Sequence, residues 1–181
     1  MRSLQLIILN GTSSAGKTSI AKELQKRLDE VWLSFSIDAV LYALPADELR
    51  AMIEGRCIAR VGYSYERLVR GYNAALVGLL STGNRVITDN ALVRSDWCVE
   101  LDNAVAPYET IRIGVLCDLA VVNEREQARR DRAVGTAAAE YPNVHKWMKY
   151  DLTVDTTELS PDEAVAIILQ HIGEDRKPRS E

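Results

Sequence analysis

The 181-residue sequence predicts an α/β fold of three layers, with a five-stranded parallel sheet flanked by helices. Two observations carry that expectation. Short apolar runs of strand length alternate with longer amphipathic runs along the chain, as in successive βα units. The first unit is joined by a small, polar, glycine-flanked turn, "GTSSAGKT", at residues 11–18. No internal repeat, low-complexity block or long linker divides the chain, and its length suffices for one core. Residues 1–173 therefore read as a single domain, followed by a polar, flexible tail at 174–181.

Each element has a local reason. "LQLIILN" (4–10) is continuously apolar, as expected of a central parallel strand covered on both faces. After the turn, Ile20, Leu24 and Leu28 recur at every fourth position among charged residues, which makes an amphipathic helix. "VWLSFSID" (31–38) reads as the second strand. Helices follow at 46–55 and 64–81, with Gly62 marking a break between them. "RVITDN" (85–90) is the third strand, and a helix over about 95–105 stops before Pro107. "TIRIGVLCD" (110–118) is the fourth strand, succeeded by a charged helix over about 119–132. "DLTVDTT" (151–157) alternates like a strand. The last helix opens with Ser160 at the N-cap, Pro161 in the first turn and Glu163 completing a capping box.

Composition excludes several classes. Hydrophobic residues make up 47% and charged residues 27%, ordinary for a folded globular chain. A net charge of −4 gives no basic face for nucleic acid. Cys57, Cys98 and Cys117 lack CxxC spacing and are expected as reduced packing residues, and His145 and His171 are isolated, so no metal-ligand cluster is indicated. The apolar N-terminal run and "AALVGLL" (74–80) are too short to span a bilayer. The expectation is a cytoplasmic protein with neither nucleic-acid nor membrane partners; the spacing says nothing of oligomeric state.

The turn fits G-x-x-x-x-G-K-[ST] completely and stands between a strand and a helix, where a phosphate-binding loop must stand. Gly11 and Gly16 permit backbone angles that a side chain would obstruct, letting successive N–H groups converge on phosphate oxygens. The expected nucleotide-binding set is Gly11, Thr12, Ser13, Ser14, Ala15, Gly16, Lys17, Thr18 and Ser19, with ATP and Mg²⁺ as the implied cofactors. Lys17 is expected to reach the β- and γ-phosphates, and the Thr18 hydroxyl to hold the Mg²⁺. Asp89, closing "RVIT", is either a second contributor to the magnesium shell or a turn-forming aspartate beside Asn90. Asp38, read as ending the second strand, either faces the shared crevice and orients a substrate hydroxyl or caps the next helix. Arg125, Arg129 and Arg132, at i, i+4 and i+7, share one arc of a helix. They form either a solvated charged face or a mobile lid, over about 125–138, that closes over the phosphates and steadies transition-state charge.

With those residues in place, the chain resembles the chloramphenicol phosphotransferase family of P-loop kinases. The resemblance rests on "IILNGTSSAGKTSI", "WLSFSIDAV", "REQARRDRAVGTA" and "YDLTVDTT". It implies ATP-dependent phosphorylation of an antibiotic's hydroxyl, such as chloramphenicol's, with Asp38 as base and Arg125, Arg129 and Arg132 in the lid. Residues 42–82, expected as a helical insertion on the acceptor side, follow the family pattern poorly, and Asn90 stands where a second acidic residue is expected. Kinases of a sugar, nucleoside or other natural product therefore remain the alternative, with a non-catalytic nucleotide switch behind them.

Overall fold

A computed structural model of the protein describes residues 3–128 and 135–173. The elements run β1 (Leu6–Asn10), α1 (Lys17–Arg27), β2 (Trp32–Ser34), α2 (Asp38–Leu41), α3 (Ala46–Ile53), α4 (Tyr65–Ser81), β3 (Arg85–Asn90), α5 (Ser95–Val105), β4 (Thr110–Leu116), α6 (Leu119–Ala128), α7 (Thr136–Glu140), β5 (Leu152–Asp155) and α8 (Pro161–Ile172). The five strands are all parallel, in the order β2-β3-β1-β4-β5. This is the three-layer architecture that the sequence predicts.

β1 is the middle strand, and each of its residues is buried. Alternation along it feeds two cores, because successive side chains leave opposite faces of a strand. Ile7 and Leu9 pack with Ile20 and Leu24 of α1 and with Ile168 of α8. Leu6 and Ile8 pack with Leu76 and Leu80 of α4 and with Leu101 of α5. Fully burying one such side chain stabilises the fold by about 1.5–3 kcal/mol. Asn10 and Asn90 are paired in register at the carboxyl ends of β1 and β3, and β4 runs two residues beyond the partner of Asn10, Gly114, so their loops leave the same edge of the sheet.

Most expected boundaries hold within a residue or two, and α8 carries the full capping box between Ser160 and Glu163. The second strand is the main correction. β2 ends at Ser34; Phe35 still donates to the Ile87 carbonyl, after which the carbonyls of Ser36 and Ile37 turn inward to start α2. Asp38 thus opens a one-turn helix instead of ending a strand. Its carboxylate lies in the first turn, where negative charge is favoured. The charged helix predicted to residue 132 is described only as far as Ala128, and the expected tail at 174–181 also lies outside the described residues.

A short helix, α7, was not predicted. Gly135 precedes it at φ 95°, and the buried Glu126 carboxylate accepts from the N–H groups of Gly135 (2.7 Å) and Ala137 (2.9 Å). Cys98 and Cys117 are buried as expected, but Cys57 is exposed. Among the described residues no group of three potential ligands could hold a metal, and no helix is long and apolar enough to cross a membrane.

Gly11 and Gly16 serve different needs. Gly16 takes φ 89°, a left-handed conformation. Gly11 has no such angle; a Cβ there would collide with the carbonyl of Val115 on β4. Gly11→Ala is expected to lower the unfolding free energy by about 1–3 kcal/mol, as overpacking does, measured by denaturant titration.

Candidate active site

The loop between β1 and α1 is held from below by strand ends. The N–H of Gly11 donates to the Asn90 carbonyl at 3.2 Å, and that of Ala15 to the Thr12 carbonyl at 3.2 Å. Thr156, just past β5, donates from its hydroxyl to the carbonyls of Ala15 (2.8 Å) and Leu116 (3.0 Å). Ser14 adopts φ 63°, rare for a residue with a side chain. Its buried hydroxyl has no hydrogen-bond partner among the described residues. α1 begins after Gly16, which brings no capping side chain, so first-turn N–H groups remain for an anion.

Lys17 is buried, and its ammonium donates to the Thr12 carbonyl at 2.7 Å, folding the lysine back across the loop. Thr18 donates its hydroxyl to Asp89 Oδ2 at 2.7 Å, so the two expected magnesium-binding groups meet. This follows from register: Asp89 stands beside Leu9 in the parallel ladder, just below the loop.

One carboxylate already sits on the loop. Glu140, closing α7, accepts from the N–H of Ser13 at 2.6 Å and from its hydroxyl at 3.3 Å. Its oxygens stand in for an anionic ligand and show that the Ser13 N–H serves as an anion donor. The loop conformation, the uncapped α1 terminus and the Thr18–Asp89 pair together fit a nucleotide polyphosphate with its Mg²⁺.

A cavity of about 670 Å³ opens above the loop. Ser13, Ser14, Gly16, Lys17, Thr18 and Ser19 line it, as do Asp38 and Asp89. Gly11, Thr12 and Ala15 are buried beneath it. Asp38 therefore shares the crevice expected of it, although from α2. One wall holds Arg125, Ala128, Thr156, Leu159 and Pro161. Arg125 is anchored there, donating to the Thr156 carbonyl at 2.8 Å and to Cys117 Sγ at 3.4 Å. Arg129 and Arg132 lie outside the described residues. The rest of the lining mixes the apolar Leu41, Met52, Val69 and Leu92 with Tyr42, Tyr65, Asn73 and Trp97.

Sequence reasoning missed the polar cluster behind the loop. The amide of Asn10 donates to the Val144 carbonyl and to the Tyr150 hydroxyl, both at 2.7 Å, while its oxygen accepts from the Leu92 N–H at 2.9 Å. His145 Nδ1 lies 2.8 Å from the same hydroxyl. A single asparagine at the end of an apolar strand gives no signal of these distant partners, and neither does Glu140. Burial, and then the positive charge of Lys17, hold the His145 imidazole below its ordinary value of 6.5; burial pushes the Tyr150 phenol up to about 12.

The unfolded chain therefore binds the His145 proton at a higher pH than the folded chain. Its contribution is complete above pH 6.5 and is lost as pH falls from there through the lower folded-state value. Urea titrations are expected to show stability declining below that pH, with a shallower decline in His145→Gln.

Comparison with known proteins agrees with this geometry. The profile of the chloramphenicol phosphotransferase-like proteins matches residues 4–173. Proteins from two Mycobacterium tuberculosis strains, provisionally named O-phosphotransferase, are each 28% identical over 84% of this chain and 75% of their own length. Among solved structures, a sugar kinase from Janibacter sp. superposes with a TM-score of 0.73 at 13% identity, covering 94% of this chain and 95% of that one. The tunicamycin resistance protein of Deinococcus radiodurans gives 0.68 at 19% identity, covering 94% and 96%. The M. tuberculosis APS kinase, solved with AMPPNP and APS, gives 0.67 at 14% identity, covering 96% and 99%. These structural likenesses establish the P-loop kinase fold, and the profile match over nearly the whole chain makes the protein a member of the chloramphenicol phosphotransferase-like family.

Proposed function

We propose that this protein is an ATP-dependent O-phosphotransferase that transfers the γ-phosphoryl group to a hydroxyl of a small molecule. The observation that carries the reading is one cavity shared by the phosphate loop, the Thr18–Asp89 pair, the Asp38 carboxylate and an apolar wall. The loop N–H groups and Lys17 bind the phosphates, and Thr18 and Asp89, paired at 2.7 Å, would hold Mg²⁺. The ion, when bound, neutralises charge on the β- and γ-phosphates. Thr156, Leu159 and Pro161 receive the nucleoside end.

Asp38 orients the acceptor hydroxyl and takes up its proton. The acceptor oxygen bonds to the γ-phosphorus as the bridge from that phosphorus to the β-phosphate breaks, and ADP leaves. Placement matters more than basicity here, because the transition state is loose. Arg125, together with Arg129 and Arg132, is assigned to charge stabilisation from the lid side.

Aliphatic side chains in the lining, Leu41, Met52, Val69 and Leu92 among them, favour an acceptor with an apolar body, such as chloramphenicol or a similar antibiotic. Polyols are recognised through many hydrogen bonds, and Tyr42, Tyr65 and Asn73 in the same lining keep a sugar as the second reading. ADP release with MgATP, measured across chloramphenicol, nucleosides, sugars and a no-acceptor control, tests the assignment. Turnover independent of any acceptor would point instead to a nucleotide switch.

Lys17→Ala is expected to abolish turnover. Asp38→Asn should lower kcat by about 100-fold or more while MgATP binding, followed by calorimetry, stays intact. Near-normal turnover in Asp38→Asn removes the base assignment. Glu140→Gln removes a like charge beside the phosphates and is expected to tighten MgATP binding by about five-fold.

A further inference from the structure

Residues 46–60 close on themselves beside the cavity. α3 ends at Gly55, which takes φ 76°. The N–H of Gly55 donates to the Met52 carbonyl at 2.9 Å and that of Arg56 to the Ala51 carbonyl at 2.8 Å, a pairing that reverses the chain at a helix end. The returning segment reaches the first turn of α3. There the Glu48 carboxylate accepts from the N–H groups of Ala59 (2.9 Å) and Arg60 (3.1 Å). The Arg60 guanidinium completes the closure: Nη2 donates to both oxygens of Asp47, at 3.0 and 2.8 Å, and Nε stands 3.4 Å from Glu48 Oε1. Glu48 is only 5% exposed, and a carboxylate is buried where fixed donors replace its hydration.

α3 packs thinly against every other helix and strand, so this closure, and not the main core, fixes its place. Its remaining side faces the site. Leu49, Met52 and Ile53, at i, i+3 and i+4, form one stripe, and all three line the cavity. Leu49 and Met52 are half-buried and Ile53 is exposed, so a molecule in the cavity can meet them.

We propose that Glu48 is a positioning residue of the acceptor site: by stapling residues 55–60 to α3, it holds the Leu49–Met52–Ile53 stripe where the apolar body of an acceptor packs. This rests on the phosphotransferase reading for what the stripe meets, but not for the staple. The stripe touches the acceptor away from its reacting hydroxyl, so its contacts are the same before and during transfer. Weakening them raises the acceptor KM and spares kcat. MgATP, held by the phosphate loop, is unaffected.

Steady-state ADP release with MgATP and chloramphenicol reads that split. Glu48→Ala is expected to raise the chloramphenicol KM about ten-fold, equivalent to about two methylene groups of lost apolar contact. Its kcat and MgATP KM should change less than about two-fold, and its midpoint of thermal unfolding by less than about 3 °C. Glu48→Gln keeps an accepting oxygen and should recover most of the affinity. Arg60→Ala trims only the exposed guanidinium and should raise the KM about two- to three-fold; these two variants carry the comparison if Glu48→Ala fails to fold. A second readout needs no turnover. The ¹³C-labelled methyl of Met52, identified by its absence in Met52→Leu, is titrated with chloramphenicol in the presence of MgADP, with gluconate as control. Its signal is expected to shift with chloramphenicol, and in Glu48→Ala at about ten-fold higher concentration.

No Met52 shift with chloramphenicol, a shift with gluconate alone, or an unchanged affinity in Glu48→Ala overturns the proposal. So does a matching loss of MgATP affinity or of unfolding midpoint, which would mark a purely structural role. A Glu48-dependent Met52 shift without ADP release sinks the phosphotransferase reading and leaves the positioning role standing. ADP release with an unchanged chloramphenicol KM in Glu48→Ala does the reverse.

Discussion

The site depends on one buried side chain, the amide of Asn10. It ends the central strand and hydrogen-bonds to segments on both sides, at Leu92 beyond β3 and at Val144 and Tyr150 before β5. Parallel strands deliver loops to a common edge but do not fix how those loops sit against one another. Asn10 fixes that, in a low-dielectric setting where a broken polar contact is costly. The glycine turn that follows it is thus mounted on a rigid base. Gly11 reinforces the mounting by letting the backbone pass directly against Val115, and Thr156 by holding Ala15 from the other side.

The cavity divides by chemistry along the same lines. Groups next to the sheet edge are charged or polar and already paired, as with Thr18 and Asp89 or Lys17 and the Thr12 carbonyl. Such preorganised dipoles suit phosphoryl transfer, which asks for fixed charge and position more than for covalent participation. Groups contributed by α3, α4 and α5 are mostly apolar. The two halves come from different parts of the chain, so the acceptor wall can diverge without disturbing the phosphate loop.

Sequence reading was strongest where periodicity or a contiguous motif carried the signal. The sheet, the long helices, the phosphate loop and the Ser160–Glu163 cap all belong to that category. It was weaker where partners are distant along the chain. The alternation of "VWLSFSID" could not reveal that an edge strand with a single neighbour would stop at Ser34 and coil into α2. α7 is only five residues long, too short for a periodic signal, and it depends on the Glu126 carboxylate nine residues before its leading glycine. Cys57 was wrongly assigned to packing, and Glu140 escaped assignment, for the same reason: their meaning lies in what surrounds them.

Glu140 gives the loop a property that an unencumbered cradle would lack. Its carboxylate saturates a donor that phosphate oxygens would use, so binding becomes an exchange of one anion for another. The protein without nucleotide therefore carries no exposed electrostatic debt at Ser13. Stray inorganic anions must outcompete a tethered rival there, and only a ligand with several simultaneous holds on the loop gains enough to evict it.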